Sequence, residues 1–157
     1  MSDTAIKTMK LYHQVERVFN ELAALGIAPD DTIDVEQLVA FDQYHYLGTA
    51  AVDEAVRRLN LSADAEVLEV GSGIGGPSRH LAHAAGWRMT ALELQPDLHE
   101  VATQLTRRCG LAERVAHRCG NILDGVGSRH DALVSWLTFL HIAERPALYA
   151  RCFDALL

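Results

Sequence analysis

Residues 66–77 form the stretch of this sequence best suited to bind a ligand through its backbone. They read Glu-Val-Leu-Glu-Val-Gly-Ser-Gly-Ile-Gly-Gly-Pro, a mostly apolar run followed by four glycines within six residues. Glycines suit a sharp turn because a ligand can then approach the backbone where a Cβ atom would collide. Pro77 comes where the first turn of a helix accepts proline. The pattern predicts a strand, a tight turn and a helix start whose amides face an adenosine-type ligand.

Two nucleotide-binding patterns fit these glycines. Gly71, Gly73 and Gly76 spell G-x-G-x-x-G, the fingerprint of dinucleotide-binding domains. Glu69, with Gly71, Gly73 and Gly75, spells E-x-G-x-G-x-G, which resembles the first motif of Rossmann-like S-adenosylmethionine-dependent methyltransferases. Glu69 favours the second pattern, because a carboxylate suits the ammonium and sulfonium charges and would repel a pyrophosphate. A glycine-rich connection without a ligand is the third interpretation.

Two polar residues that follow later strands could complete an adenosine site. Glu93 ends the second predicted strand, at the spacing where an acidic side chain reaches ribose hydroxyls. The alternative is an exposed carboxylate at a strand end, and Glu93 cannot separate the two cofactors because both carry a ribose. Asn121 follows the third predicted strand. It could bond the adenine edge or serve only as a turn residue.

The composition describes one soluble globular domain. The chain has 157 residues, of which 49% are hydrophobic and 22% charged. A net charge of -7 argues against binding to nucleic acid, because no basic excess is present to contact phosphates. Three cysteines without a C-x-x-C pair indicate a reducing, cytoplasmic compartment and no metal site. The sequence has no membrane-length apolar run, so we expect no membrane partner.

Hydrophobic periodicity predicts a helical layer followed by alternating strands and helices. Helices are predicted at residues 4–25, just after 34, and at 49–59, 77–85, 96–109 and 144–157; strands are predicted at 67–70, 88–94, 115–118 and 132–137. This alternation implies an α/β fold with a doubly wound parallel sheet. We expect residues 1–60 to form a helical layer or lid, and residues 61–157 to form the cofactor-binding half.

Four segments carry a resemblance to a known family. They are Asp-Gln-Tyr-His at 42–45, the glycine motif at 69–77, Thr-Ala-Leu-Glu at 90–93 and Leu-His-Ile-Ala-Glu-Arg-Pro at 140–146. In this order they resemble the bacterial small-molecule methyltransferases similar to sarcosine/dimethylglycine and phosphoethanolamine N-methyltransferases. Tocopherol methyltransferases are more distant relatives. The resemblance covers residues 41–157 and implies a Rossmann-like fold, with S-adenosylmethionine as cofactor and a small molecule, preferably an amine, as methyl acceptor.

The resemblance also implies roles for individual residues. His141 matches a histidine that follows the fourth strand and works with a tyrosine of the N-terminal lid, for which Tyr46 is the nearest candidate. Such a histidine can accept or relay the proton of the acceptor, although a histidine at a strand end also serves structural roles. Tyr44 and His45 could line the opening. The cofactor-binding residues implied are Glu69 for the amino group, Gly71, Ser72, Gly73 and Gly75 in the turn, Glu93 for the ribose and Asn121 beside the adenine.

The family's complete fold has seven strands, and four are predicted here. The resemblance therefore implies an N-terminal portion whose C-terminal strands are missing. We expect the fourth strand, residues 132–137, to present an open apolar edge, which favours self-association. A second copy would cover this edge, or the terminal segment would rearrange over it. Two other functions stay open: a nicotinamide-dependent oxidoreductase domain and a non-catalytic cofactor-binding module.

Overall fold

The structure is a computed structural model that describes residue 15 and residues 17–157. The elements in this part of the chain, in order, are α1 (Arg17–Ala24), α2 (Val35–Leu38), α3 (Thr49–Leu59), β1 (Glu66–Val70), α4 (Gly76–Ala85), β2 (Arg88–Glu93), α5 (Pro96–Arg108), β3 (Val115–Cys119), β4 (Ala132–Val134) and α6 (Arg145–Asp154). Short 3-10 turns lie at Ile122–Asp124 and Phe139–His141. No helix within these described residues is long and apolar enough to cross a membrane.

The four strands form one parallel sheet in the order β3-β2-β1-β4. Val67 of β1 pairs with Met89 of β2 on one side and with Ala132 of β4 on the other. The chain therefore leaves β1 in one direction for β2 and β3, and returns to its opposite side for β4. This reversal confirms the predicted doubly wound parallel sheet, and it creates a crevice at the carboxyl ends of β1 and β4 where such folds bind ligands.

Alternate side chains of β1 enter two different hydrophobic cores. Val67 packs with Val52 of α3 and Leu81 of α4 on one face of the sheet. Leu68 and Val70 pack on the other face, together with Leu148 of α6. Because other elements cover both faces of the sheet at β1, the sequence of this strand is a nearly continuous apolar run. Glu69 is the exception within this run, and it is fully buried.

The ends of β4 and of the last helix differ from the predicted ones. β4 ends at Val134 and not at residue 137, because the Ser135 hydroxyl donates to the Val70 carbonyl at 2.8 Å and Leu137 takes a left-handed φ of +56°. The last helix ends at Asp154, after which Leu156 forms a parallel bridge with His130. At the other end, α1 begins at Arg17. Residues 15 and 25 of the predicted first helix lie in turns, and its residues 4–14 and 16 lie outside the described part of the chain.

A buried ion pair joins the helical layer to the sheet domain. Arg79 of α4 and Asp42 have fully buried side chains, and the Arg79 Nη2 lies 3.0 Å from the Asp42 Oδ2. The other terminal nitrogen of Arg79 donates to the Ile74 carbonyl at 2.7 Å. The carbonyl of Asp42 also lies against Gly76, where a Cβ atom would collide with it. These contacts fix the segment after α2 on the first turn of α4.

We expect Asp42→Asn to lower the free energy of unfolding by about 3–5 kcal/mol, because it leaves the Arg79 guanidinium buried without a counter-charge. Urea denaturation followed by circular dichroism measures this loss. The matched control is Asp53→Asn, which removes the exposed partner of His80 and should cost less than about 1 kcal/mol. Equal losses in the two variants would contradict a dominant role for the buried pair.

Candidate active site

A cavity opens where the carboxyl ends of the parallel strands meet. It is lined by the ends of β1 and β2, by residues 71–74 of the glycine turn and by residues 120–123 after β3. Residues 136–138 after β4, with His141 and Ile142, form another wall. Asp42, Tyr44 and His45 of the segment after α2 border the same space. The topological reversal of the sheet and the helical layer therefore contribute to one site.

The glycine turn meets two separate requirements. Gly71 has φ +77°, and a Cβ atom there would collide with the Thr138 side chain. Gly73 lines the cavity, and its amide donates to Glu93. Gly75, with φ +81°, lies outside the cavity lining. A Cβ atom there would come within 2.8 Å of a His117 ring carbon. The structure thus brings Gly71 and Gly73 to the cavity, whereas Gly75 is needed where the start of α4 lies against His117 of β3.

Glu69 is a buried carboxyl group at the wall of the cavity. One oxygen, Oε2, accepts a hydrogen bond from the Ser78 hydroxyl of α4. The other oxygen, Oε1, has no hydrogen-bond partner among the described residues and is out of contact with water. Burial raises the pKa of Glu69 to about 8, against the opposing effects of Ser78 and Arg79. The group is therefore protonated at neutral pH and becomes a carboxylate readily if a cation arrives.

Glu93 is held by the backbone of the turn that it faces. Its Oε2 accepts the Gly73 amide at 2.8 Å and its Oε1 accepts the Gln95 amide at 2.9 Å. Burial raises its pKa, and these two amide bonds oppose that rise. Each carboxylate oxygen has a second lone pair, so the group can accept ribose hydroxyls while it keeps both amides. The exposed-carboxylate alternative is wrong, since Glu93 is only 6% exposed.

Asn121 and Ser72 also line the cavity. The Asn121 side-chain oxygen accepts the Leu123 amide at 3.0 Å and caps the short 3-10 turn that follows. The turn role considered from the sequence is therefore present, and the residue still faces the cavity. Ser72 is buried, and its hydroxyl has no hydrogen-bond partner among the described residues. It is a polar atom for which a ligand at this site would supply the partner.

The structure separates the two residues expected to act on the acceptor. His141 is exposed and lines the cavity, at the end of the 3-10 turn after β4. Tyr46 lies outside the lining, and 78% of it is exposed. Tyr44 is the tyrosine that borders the cavity. The pairing of Tyr46 with His141 therefore stays a prediction.

Trp136 belongs both to the hydrophobic core and to the cavity wall. A tryptophan on an apolar strand end is typical of a core residue, and Trp136 does pack against the core that contains Val67. It also lines the cavity, its indole nitrogen has no hydrogen-bond partner among the described residues, and the His45 ring stacks on it at 5.1 Å. Phe139, by contrast, lies outside the lining and makes an edge contact with Tyr149.

Three unpartnered polar atoms thus belong to residues that line one cavity. Six buried side-chain nitrogen or oxygen atoms of the described residues have no hydrogen-bond partner, and three belong to cavity residues: Glu69, Ser72 and Trp136. Buried polar atoms are normally paired, since leaving one unpaired costs about 1–3 kcal/mol. Their clustering indicates a site built for a polar ligand with at least one cationic group.

Comparison with known proteins identifies the family of this chain. The family model described as "Methyltransferase domain" matches residues 67–157. Phosphoethanolamine N-methyltransferase 1 of Zea mays is 29% identical over 108 residues, which are 68% of this chain and 21% of the maize protein. The chain therefore spans about a fifth of the length of the curated relatives it matches.

Two solved structures share the fold. A provisionally named sarcosine dimethylglycine methyltransferase from Galdieria sulphuraria superposes with a TM-score of 0.67 at 18% identity, over 92% of this chain and 56% of that protein. Phosphoethanolamine N-methyltransferase 2 of Haemonchus contortus, solved with S-adenosyl-L-methionine, gives 0.64 at 21% identity, over 69% and 26% of the two chains. These likenesses confirm the resemblance carried by the four sequence segments. Since the family model covers more than half of its residues, the chain belongs to the methyltransferase-domain family.

Proposed function

We propose that this chain is the cofactor-binding part of an S-adenosylmethionine-dependent methyltransferase whose acceptor is a small-molecule amine. The observation that carries the proposal is the unpartnered Oε1 of Glu69, a buried carboxyl oxygen in the wall of the cavity. An ammonium group is the natural partner for such an oxygen. A dinucleotide pyrophosphate offers no cation to the unpartnered oxygen of Glu69 and would add negative charge beside Glu93, which argues against the oxidoreductase alternative.

The residues present fit this cofactor. Glu69 would pair with the amino group of its methionine part, Glu93 would accept the ribose hydroxyls, and Ser72 and Gly73 would contact the region between them. Asn121 would border the adenine. When bound, the cofactor supplies a methyl group activated by a sulfonium. The chain's own task is to align the acceptor with that methyl group and to exclude water from the site.

His141 is the proposed acceptor of the proton that the amine must lose. It borders the cavity beside Thr138 and Ile142, so it can reach a molecule bound next to Trp136. Tyr46 is retained as the sequence-based candidate for its partner, with Tyr44 as the tyrosine already at the cavity. An amine acceptor is supported by the names of the relatives, which are N-methyltransferases.

The domain organisation is part of the proposal. Residues 1–60 would form a lid layer, and residues 61–157 the cofactor-binding half. The position of Tyr44 and His45 at the cavity supports the first assignment. Cys109, Cys119 and Cys152 are free thiols, which supports a reducing compartment such as the cytoplasm.

The cofactor assignment predicts a proton release. At pH 7 Glu69 is protonated in the free chain, because burial raises its pKa to about 8. An ammonium beside it favours the carboxylate. S-adenosylhomocysteine should therefore bind with release of up to about one proton. Calorimetric titrations at pH 7 in two buffers of different ionisation enthalpy measure that number, and NADH should show no comparable binding.

Two variants control this experiment. Glu69→Gln should bind S-adenosylhomocysteine without the proton release. Glu93→Gln should weaken binding by about 1.5–3 kcal/mol, the usual contribution of hydrogen bonds to a charged group, and should keep the proton release. Tighter binding of NADH would support the oxidoreductase alternative. The same proton count in the wild type and in Glu69→Gln would remove Glu69 from the ammonium site.

For catalysis, we expect His141→Gln to lower kcat about 10²–10⁴-fold, the usual contribution of general acid–base catalysis. Affinity for S-adenosylhomocysteine should stay within about twofold, because His141 is not assigned to the cofactor. Trial acceptors are sarcosine, dimethylglycine and phosphoethanolamine, and release of S-adenosylhomocysteine reports turnover. Binding of cofactor without turnover on any amine would favour the non-catalytic module, and a loss confined to stability would make His141 structural.

We further propose self-association at the β4 edge of the sheet. β4 pairs with β1 on one side and is the last strand of the sheet. Among the described residues, the one pairing found next to this edge is the bridge between His130, just before β4, and Leu156. Exposed apolar side chains lie on or next to the adjoining helix α6, namely Leu140, Tyr149, Phe153 and Leu157. An unpaired strand edge beside apolar side chains favours pairing with a second copy.

Light scattering over a concentration series tests this association. We expect the mean mass to rise with concentration, and Phe153→Glu to shift the rise to at least about tenfold higher concentration, because it places a charge in the apolar contact. Leu25→Glu is the matched control, an exposed leucine just after α1. A constant monomer mass at high concentration, or equal effects of the two variants, would contradict the assignment.

A further inference from the structure

We propose that His45 is a positioning residue: as an imidazolium stacked on Trp136, it holds residues 42–46 at the mouth of the cavity. The segment has its own anchor in the sheet domain, through Asp42 and the buried Arg79. His45 provides a second contact point, on the opposite wall of the cavity. The inference rests on the proposed function only where cofactor release is used as a readout.

A continuous series of contacts runs from α4 to this ring. Arg79 bonds the Asp42 Oδ2 at 3.0 Å, and the Asp42 Oδ1 accepts the side-chain nitrogen of Gln43 at 2.8 Å. The Gln43 oxygen lies 3.0 Å from the Nε2 of His45. On its other side, the Nδ1 of His45 lies 3.0 Å from the Tyr46 carbonyl. Each member of the series is thus placed by the one before it.

The chemistry of these neighbours determines the protonation of His45. A carboxylate only accepts hydrogen bonds, so Asp42 requires the Gln43 amide to present its nitrogen to Asp42 and its oxygen to His45. The Tyr46 carbonyl is likewise only an acceptor. Both ring nitrogens of His45 therefore face acceptors, and both bonds form only when each nitrogen carries a hydrogen. The hydrogen-bonding partners of His45 therefore favour its imidazolium form.

Trp136 completes the site for that cation. The two rings lie 5.1 Å apart at an interplanar angle of 24°, a stacked arrangement. The face of an indole attracts a cation more strongly than other aromatic side chains do. Because Trp136 is also packed into the core below it, its ring offers a fixed surface. Loss of the proton removes the cation–π attraction and one of the two ring hydrogen bonds together.

Other titratable groups face the same cavity and must be separated from His45. Asp42 and Tyr44 line it from the same segment as His45, while Glu69 of β1, Glu93 of β2 and His141 line the remaining walls. Glu69 titrates near pH 8, close enough to contribute to any profile measured around neutrality. A variant with a permanent cation at position 45 isolates the histidine, because it keeps all of these groups unchanged.

The ligand-free chain provides a direct optical test. An imidazolium in contact with an indole quenches its fluorescence, so tryptophan emission should be higher at pH 8.5 than at pH 6. His45→Gln should remove this component. The matched control His83→Gln, an exposed histidine of α4 paired with Glu36, should keep it. A wild-type transition that persists in His45→Gln would overturn the proposal.

Cofactor release gives the second test. The rate constant for dissociation of S-adenosylhomocysteine should increase about 5-fold between pH 6 and 8.5 in the wild type, the equivalent of about 1 kcal/mol. His45→Gln should release the ligand rapidly at both pH values, and His45→Arg should release it slowly at both. Any change with pH that comes from Glu69 should be the same in the two variants. Equal rates in His45→Arg and His45→Gln would overturn the positioning role. If S-adenosylhomocysteine does not bind, the proposed function fails while the fluorescence titration still decides on His45.

Discussion

The contact between Arg79 and Asp42 is the constraint on which the arrangement of the site depends. Burial of two charges is costly, and it is offset only if the remaining hydrogen-bonding groups find partners. Arg79 meets much of that requirement with the Ile74 carbonyl at 2.7 Å and the Thr106 hydroxyl at 3.3 Å. Burial and the charge of Arg79 lower the pKa of His117 to about 3. His117 therefore stays neutral beside Gly75, and a second cation does not oppose the first.

The two buried carboxyl groups of the cavity illustrate how the surroundings divide their roles. Glu93 has two backbone amides as donors, which favour its charged form and also fix the turn at Gly73. Glu69 has one hydroxyl donor and one bare oxygen. The stability contributed by protonated Glu69 is fully present below the ordinary pKa of a glutamate and is lost as the pH rises toward about 8. A bound cation would remove that loss, so ligand binding and stability are linked at this residue.

Local patterns predicted the four strands, the glycine turn and the position of Glu93 at the end of β2, because each depends on residues close together in sequence. Features that depend on distant residues were missed. The packing requirement for a glycine at position 75 comes from His117 and Arg79, and the stacking of His45, which was expected at the opening, comes from Trp136. Tyr46 was favoured by its place in a motif, yet it lies outside the cavity lining and is largely exposed. No periodicity encodes such contacts.

The end of β4 shows how one glycine supports two parts of the site. Leu137 adopts a left-handed conformation, which is unfavourable for a bulky side chain and is found mainly where the surroundings enforce it. Here the Ser135 hydroxyl is held by Val70, and the Thr138 hydroxyl lies within 3.4 Å of the Gly71 carbonyl. Thr138 can occupy that place only because Gly71 has no Cβ atom. The glycine that opens the turn after β1 therefore also makes room for the loop after β4, which carries Trp136 and His141 to the cavity. A side chain at position 71 would disturb both walls of the site at once. Gly71 is therefore needed for the packing of the loop after β4, in addition to any contact with the cofactor.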